Sequence, residues 1–79
     1  MMALLDLPRP KGERLRLTVQ VYRGAPRIDL RLWYVDATGQ LRAGAKGLTV
    51  PHEAVADLVA ALGTAKQLTL ADLPPAAND

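Results

Sequence analysis

Seventy-nine residues make one domain, and a chain of this length buries only roughly 60% of its unfolded surface, so its own core is marginal. There is no cysteine and one histidine, which excludes a disulfide staple, argues against a zinc centre and leaves self-association as the route to further buried area. The net charge of +2 is unevenly laid out: residues 14–46 carry seven basic and two acidic side chains, the remainder three and six, the pattern of a protein with one side turned to a polyanion.

Hydrophobic residues make up 49% but aromatics only 4%, with no phenylalanine. The core is therefore leucine, valine and alanine, and each aromatic ring outside it gains weight as a functional candidate. No apolar run reaches the ~20 residues of a membrane helix. The opening MMALLDLPRP lacks a basic leader before a long apolar stretch. A cytoplasmic location, nucleoid-associated if the source is bacterial, is the expectation.

Residues 1–13 hold two prolines, one glycine and no clean period and read as a flexible arm. Arg14 to Tyr22 alternates without a break, with Leu15, Leu17, Val19 and Val21 on one face and Arg14, Arg16, Thr18, Gln20 and Tyr22 on the other. This predicts the first strand. Gly24-Ala25-Pro26 has turn chemistry. It leads into a second strand over Arg27 to Asp36, where Ile28, Leu30, Leu32 and Tyr34 oppose Arg27, Asp29, Arg31, Trp33 and Val35. Asp36 and Gly39 suit the next turn. A short third strand over Gln40 to Ala43, a turn at Gly44-Ala45-Lys46-Gly47 and a fourth strand over Leu48 to Val50 follow.

At Pro51 the period changes. Proline and Glu53 suit a first helical turn, and Val55, Leu58, Val59 and Leu62 form an apolar stripe at i, i+3, i+4 and i+7. Gly63 stands where a C-terminal cap belongs. A helix of about twelve residues is too short to stand alone, so its stripe packs on the sheet or on a partner chain. Leu68, Leu70 and Leu73 fit either an edge strand or a short second helix, and Pro74 to Asp79 reads as disordered. The domain is thus residues 14–63, with a partly disordered tail over 64–79. The fold class is α+β: a four-stranded antiparallel sheet with one apolar face, followed by a covering helix.

The polar face sets arginines beside an aromatic ring. Guanidinium groups attract phosphate and a flat ring stacks an unpaired base, so the pattern points to single-stranded nucleic acid. The alternative is that the arginines decorate a solvated face and the rings fill a seam. Arg31 could also pair with Asp29, which points to the same side. His52 has no second ligand or nucleophile nearby in sequence, Asp29 and Asp36 face opposite sides, and the glycine clusters lack the longer phosphate loop that opens onto a helix. No catalytic constellation, cofactor or metal site is expected.

The run Tyr22-Arg23-Gly24, Ile28-Asp29-Leu30-Arg31, Trp33-Tyr34 and Asp36, continued by Gly39, Leu41, Gly44, Lys46-Gly47-Leu48-Thr49 and Glu53, resembles the positive cofactor four family of transcriptional coactivators over roughly residues 15–62. The resemblance implies a curved PC4-like (whirly-like) sheet that dimerises so that paired channels take single strands. It implies base stacking at Tyr22 and at Trp33 or Tyr34, with alternation favouring Trp33. It also implies phosphate contacts at Arg23, Arg31 and Lys46. Ala25, Ala45 and Gln20 stand where better-known members carry cations, which Arg14, Arg16 and Arg27 compensate; each cation missing from the phosphate path flattens the salt dependence by roughly 0.7 in log–log slope. The serine- and lysine-rich regulatory arm of eukaryotic members does not appear.

The expectation is therefore a homodimer, not an enzyme, that binds single-stranded DNA without sequence preference in transcription, replication or repair. Its helix stripe Val55, Leu58, Val59 and Leu62 lies in the dimer interface, and transcription or replication machinery is a further partner. RNA is one alternative, since the same rings stack either polymer. A protein-interaction module that recruits a polymerase is the other.

Overall fold

The structure, a computed structural model, describes residues 1–76. Four strands, β1 (Met2–Pro8), β2 (Arg14–Tyr22), β3 (Ala25–Val35) and β4 (Leu41–Val50), form one antiparallel sheet in the order β1-β2-β3-β4, and a helix, α1 (Val55–Gln67), follows. The expected class is observed, but its strands are drawn differently.

Residues 2–8 are not a loose arm; they pair along β2, with Leu5 opposite Leu17, Asp6 opposite Arg16 and Leu7 opposite Leu15. A bulge between Ala3 and Leu5 breaks the alternation, and Pro8 ends the strand where a missing N–H does least harm. Those two interruptions hide β1 from a periodicity argument. The predicted third and fourth strands are one strand. Gly44-Ala45-Lys46 is a bulge inside β4: Gly47 pairs with Arg31 and Ala43 with Trp33, so three residues of β4 face one of β3. The glycines serve close approach, not chain reversal. A Cβ at Gly47 would lie 2.5 Å from the Leu30 carbonyl oxygen and 2.6 Å from the Arg31 Cα, and one at Gly44 would lie 2.8 Å from the Leu32 carbonyl oxygen.

The β2–β3 hairpin is tighter than Gly24-Ala25-Pro26 suggested. Tyr22 pairs with Ala25, which leaves Arg23-Gly24 as a two-residue turn with φ of 53° and 75°, the left-handed pair whose twist matches the flanking strands. Pro26 belongs to β3, opposite Val21. It lies beyond the end of β4, whose last residue Val50 pairs with Ile28, so no partner strand needs its missing N–H. The β3–β4 turn follows expectation: Asp36 accepts from the Thr38 and Gln40 amides at 2.9 and 3.0 Å, and Gly39 takes φ of 85°.

A 3₁₀ turn over His52–Ala54 precedes α1. The helix does not stop at Gly63 but continues to Gln67, because nothing near Gly63 forces a left-handed residue there. Of the ambiguous stretch, residues 64–67 are helical and Leu70–Asp72 is a single 3₁₀ turn, capped by Thr69 and Asp72. It is neither an edge strand nor a second α-helix. The predicted disorder over 74–79 falls partly on residues 77–79, which lie outside the described residues.

One sheet face carries Leu5, Leu7, Leu15, Leu17, Ile28, Leu30, Leu48 and Val50, by register. The helix stripe approaches the Leu17–Ile28–Leu30–Val50 end but leaves an apolar cleft of about 200 Å³ between them. Among the described residues only Val50 and Thr18 are buried. The radius of gyration is 15.6 Å, against about 12 Å for a compact domain of this length. The expected helical cover is therefore partial, and the apolar face is largely bare.

The bulge glycines and the helical glycine predict opposite outcomes. Gly47→Ala forces β4 away from β3 and should cost about 1–3 kcal/mol. Gly63→Ala enters open space in a helix interior and should gain up to about 1 kcal/mol. Urea unfolding of the two variants beside the parent, at one protein concentration, reads both signs.

Candidate nucleic-acid interface

Residues paired across an antiparallel ladder share a face, so register decides which candidate residues meet. Arg14 pairs with Trp33, Arg16 with Arg31, Thr18 with Asp29 and Gln20 with Arg27, and Tyr22 closes the hairpin opposite Ala25. Arg14, Arg16, Tyr22, Arg27, Arg31 and Trp33 therefore stand on one polar face, with Arg23 in the turn at its end. Tyr34 and Lys46 do not join them. Tyr34 pairs with Arg42 on the opposite face, and Lys46 lines a cleft of about 220 Å³ there with Glu13, Leu32 and Tyr34. Of the Trp33-Tyr34 pair, the ring that shares a surface with Tyr22 is Trp33.

The two aromatic positions differ in access. Tyr22 is 47% exposed. Its ring has the Arg27 guanidinium carbon 4.7 Å and that of Arg23 5.3 Å from the ring centroid, within cation–π range. Arg23 holds a left-handed φ that costs most side chains of its kind roughly 1–2 kcal/mol, which keeps its cation beside the ring. Trp33 is half-buried, with the Arg16 guanidinium carbon 5.0 Å from its ring centroid. The indole Nε1 and the Arg16 Nε are enclosed and have no hydrogen-bond partner.

Acidic neighbours decide which cations are available. Asp6 on β1 accepts from Arg14 Nε and, at 3.2 Å, from Arg16 Nη2. The Arg14 hydrogen bond, opposed by desolvation and supported by the Arg16 hydrogen bond, holds the Asp6 carboxyl below the usual carboxylate range. Asp29 takes both Arg31 Nε and Arg31 Nη2, at 3.0 and 3.1 Å, and this pairing raises the Arg31 pKa. Arg31 Nη1 also donates to the Gly44 and Ala45 carbonyls at 3.0 and 3.3 Å. Among the described residues, Arg23, Arg27 and Lys46 pair with no carboxylate.

Two shallow clefts run along the polar face. One, of about 340 Å³, is lined by residues including Thr18, Gln20, Arg27, Asp29, Arg31 and Trp33; the other, of about 410 Å³, by residues including Tyr22, Arg27, Thr49 and His52. Arg27 belongs to both and joins them into one path from the indole to the hairpin. Sequence reasoning missed Asp6, Thr49 and His52 as neighbours of this path. The alternation Leu5-Asp6-Leu7 was the available signal for Asp6; the other two depend on where β4 ends. No group of carboxylate, histidine or cysteine side chains suited to a metal occurs among the described residues, and no helix there is long and apolar enough to cross a membrane.

A family model described as Transcriptional Coactivator p15 (PC4) matches residues 9–61, and this chain belongs to that family. Its fold is similar to that of a PC4 homologue from Burkholderia pseudomallei. In the orthorhombic crystal form of that protein the TM-score is 0.73 at 25% identity, covering 86% of this chain and 92% of the other. In the tetragonal form it is 0.73 at 26%, covering 84% and 97%. The bacteriophage T5 homologue of the eukaryotic transcription coactivator PC4, implicated in recombination-dependent DNA replication, matches with a TM-score of 0.71 at 26% identity, covering 81% and 74%. No curated protein matches the chain by sequence.

Asp36 offers a test of the turn that sets the β3–β4 register. The Thr38 hydroxyl first, then the Arg42 guanidinium and the Gln40 amide, hold its carboxyl far below the ordinary value of 3.8. A carboxyl depressed in the folded state stabilises above its unfolded pKa, and that contribution is lost as pH falls through the folded value. Asp36→Asn should therefore lower the melting temperature at neutral pH and soften the further loss of stability below about pH 4. Melting curves from pH 7 down to pH 2 check both halves.

Proposed function

We propose that this chain binds single-stranded DNA without sequence preference, as a homodimer, and holds unwound DNA in transcription, replication or repair. The observation that carries the reading is the exposed Tyr22 ring with two carboxylate-free arginines at its faces, set at the end of an open polar path. Arg27, Arg23 and the uncommitted Nη groups of Arg14 supply donors for phosphate, while Tyr22 supplies a stacking surface. A base arriving on Tyr22 displaces one guanidinium from the ring, and that cation is then placed to meet the adjoining phosphate. Arg16 covers Trp33, so the indole contributes chiefly once Arg16 moves. The chemistry is binding; no bond is made or broken.

Family membership supports a nucleic-acid role, and the phage homologue's link to recombination-dependent DNA replication supports replication as one setting. Sequence independence follows from the contact types: phosphate carries no sequence information, and every base has a π-face.

The dimer part of the proposal rests on bare apolar surface. The accessible area is 6560 Å² for a mass of 8.5 kDa, against about 4,700 Å² for a compact monomer of that size. The excess of roughly 1,900 Å² is more than the ~800 Å² each partner gives to a standard interface. Leu48 is 56%, Val59 63% and Leu62 58% exposed, on the sheet face and helix stripe that a second copy would cover.

Titration with a fluorescent oligothymidylate should give salt-sensitive binding that duplex DNA competes for poorly. Tyr22→Ala should weaken it by about 5- to 150-fold, the equivalent of ~1–3 kcal/mol for one stacked base. Unchanged affinity in that variant would remove stacking from the reading, and equal affinity for a matched RNA would extend the ligand to RNA. For the interface, sedimentation equilibrium should show a dimer, and Leu62→Asp should shift it to monomer with a lower melting temperature. A folded parent that sediments as a monomer at micromolar concentration contradicts the dimer.

A further inference from the structure

We propose that Arg31 is a positioning residue: it clasps the β4 bulge and so shapes the wall of the polar path, and it does not meet phosphate. The inference rests on the nucleic-acid reading above but departs from it on this residue, where the family resemblance implies a phosphate contact.

A guanidinium has five N–H donors in a fixed fork. Four are committed here: Nε and one Nη2 hydrogen to the two oxygens of Asp29, and Nη1 to the carbonyls of Gly44 and Ala45. Those carbonyls belong to the segment where three residues of β4 face Leu32 alone. β4 is also the sheet's edge strand, so no further strand is there to take them. Arg31 supplies what the broken ladder withholds. Asp29 is held in turn by the Thr49 hydroxyl at 3.4 Å, so the cluster ties the middle of β3 to both sides of the bulge.

The alternative role requires leaving this arrangement. To reach a phosphate with more than its one remaining N–H, Arg31 must give up the bulge carbonyls or abandon Asp29, whose side chain is only 17% exposed, as an unpaired carboxylate. Arg27 and Arg23 carry no such commitment. The clasp also explains why the bulge can sit so close to β3: Gly47 and Gly44 permit the approach, and Arg31 holds it. Ala43 and Trp33, which line the path beside Arg31, are placed by the same segment.

The two roles predict opposite responses. Lysine keeps a cation for phosphate but cannot bridge two carbonyls and a carboxylate. Removing the Asp29 charge frees a phosphate-binding arginine but loosens a clasp. Arg31→Lys and Asp29→Asn are titrated with fluorescent oligothymidylate across a salt series, and amide hydrogen exchange over residues 43–47 is followed in the DNA-free proteins. The clasp predicts several-fold weaker binding in both variants at high salt, a log–log salt slope equal to the parent's in Arg31→Lys, and faster exchange over the bulge in both. Parental affinity in Arg31→Lys with tighter binding in Asp29→Asn, or a bulge whose exchange neither variant changes, overturns it. If the parent itself binds no oligothymidylate, the binding reading fails separately, and the exchange comparison then decides the clasp alone.

Discussion

The antiparallel register between β2 and β3 governs everything else in this molecule. Nine consecutive pairs, Arg14 with Trp33 through Tyr22 with Ala25, keep every leucine, valine and isoleucine of the hairpin on one side and its arginines on the other. A slip of one residue would exchange the faces completely, burying guanidinium groups against the helix. Two local devices hold the alignment: the left-handed Arg23-Gly24 turn at one end and, past the other, the Asp36 turn that starts β4. Both act through backbone conformation and short-range hydrogen bonds, so the partition of the sheet into two chemistries needs little help from distant parts of the chain.

What the partition leaves unsolved is burial. Thirteen helical residues cannot cover four strands, and the cleft under α1 shows that the helix does not close even on the strands nearest it. The apolar face is a half-interface, with its complement outside the monomer. This is the expected resolution for a short chain without cysteine or metal, since a second copy supplies area that lengthening the chain would otherwise have to provide. It also frees the polar face from any duty in the core, and that face can stay open.

On the polar face, two aspartates sort the arginines into working groups. Asp6 draws Arg14 and Arg16 toward the β1 side, and Arg16 in turn lies over Trp33. Asp29 turns Arg31 toward the β4 bulge. The hairpin end has no such carboxylate among the described residues, so Arg23 and Arg27 gather at the Tyr22 ring instead. A face that counts as strongly basic by composition is thus graded, from largely compensated around Trp33 to uncompensated around Tyr22. Binding strength follows the second quantity, because a cation already paired with a carboxylate has less to gain from phosphate.

The amino-acid sequence by itself determined the hairpin, the chemistry of its two faces, the Asp36 turn, the existence of the helix and the family. All of these depend on side-chain alternation, helical spacing or turn residues acting over a few positions. Tertiary structure alone decided that residues 2–8 are a strand, because the bulge at Leu4 and the prolines erase a two-residue period that only pairing with β2 restores. It alone joined the last two predicted strands, because Gly44 and Gly47 look the same in sequence whether they reverse a chain or let two backbones touch. It carried the helix through Gly63, and it set Lys46 and Tyr34 on the far side from Arg31. Which arginines are spent and which are free was likewise beyond sequence reach, since that depends on carboxylates and carbonyls brought to them across the sheet, eight to fourteen positions away for Arg14 and for Arg31 at the bulge.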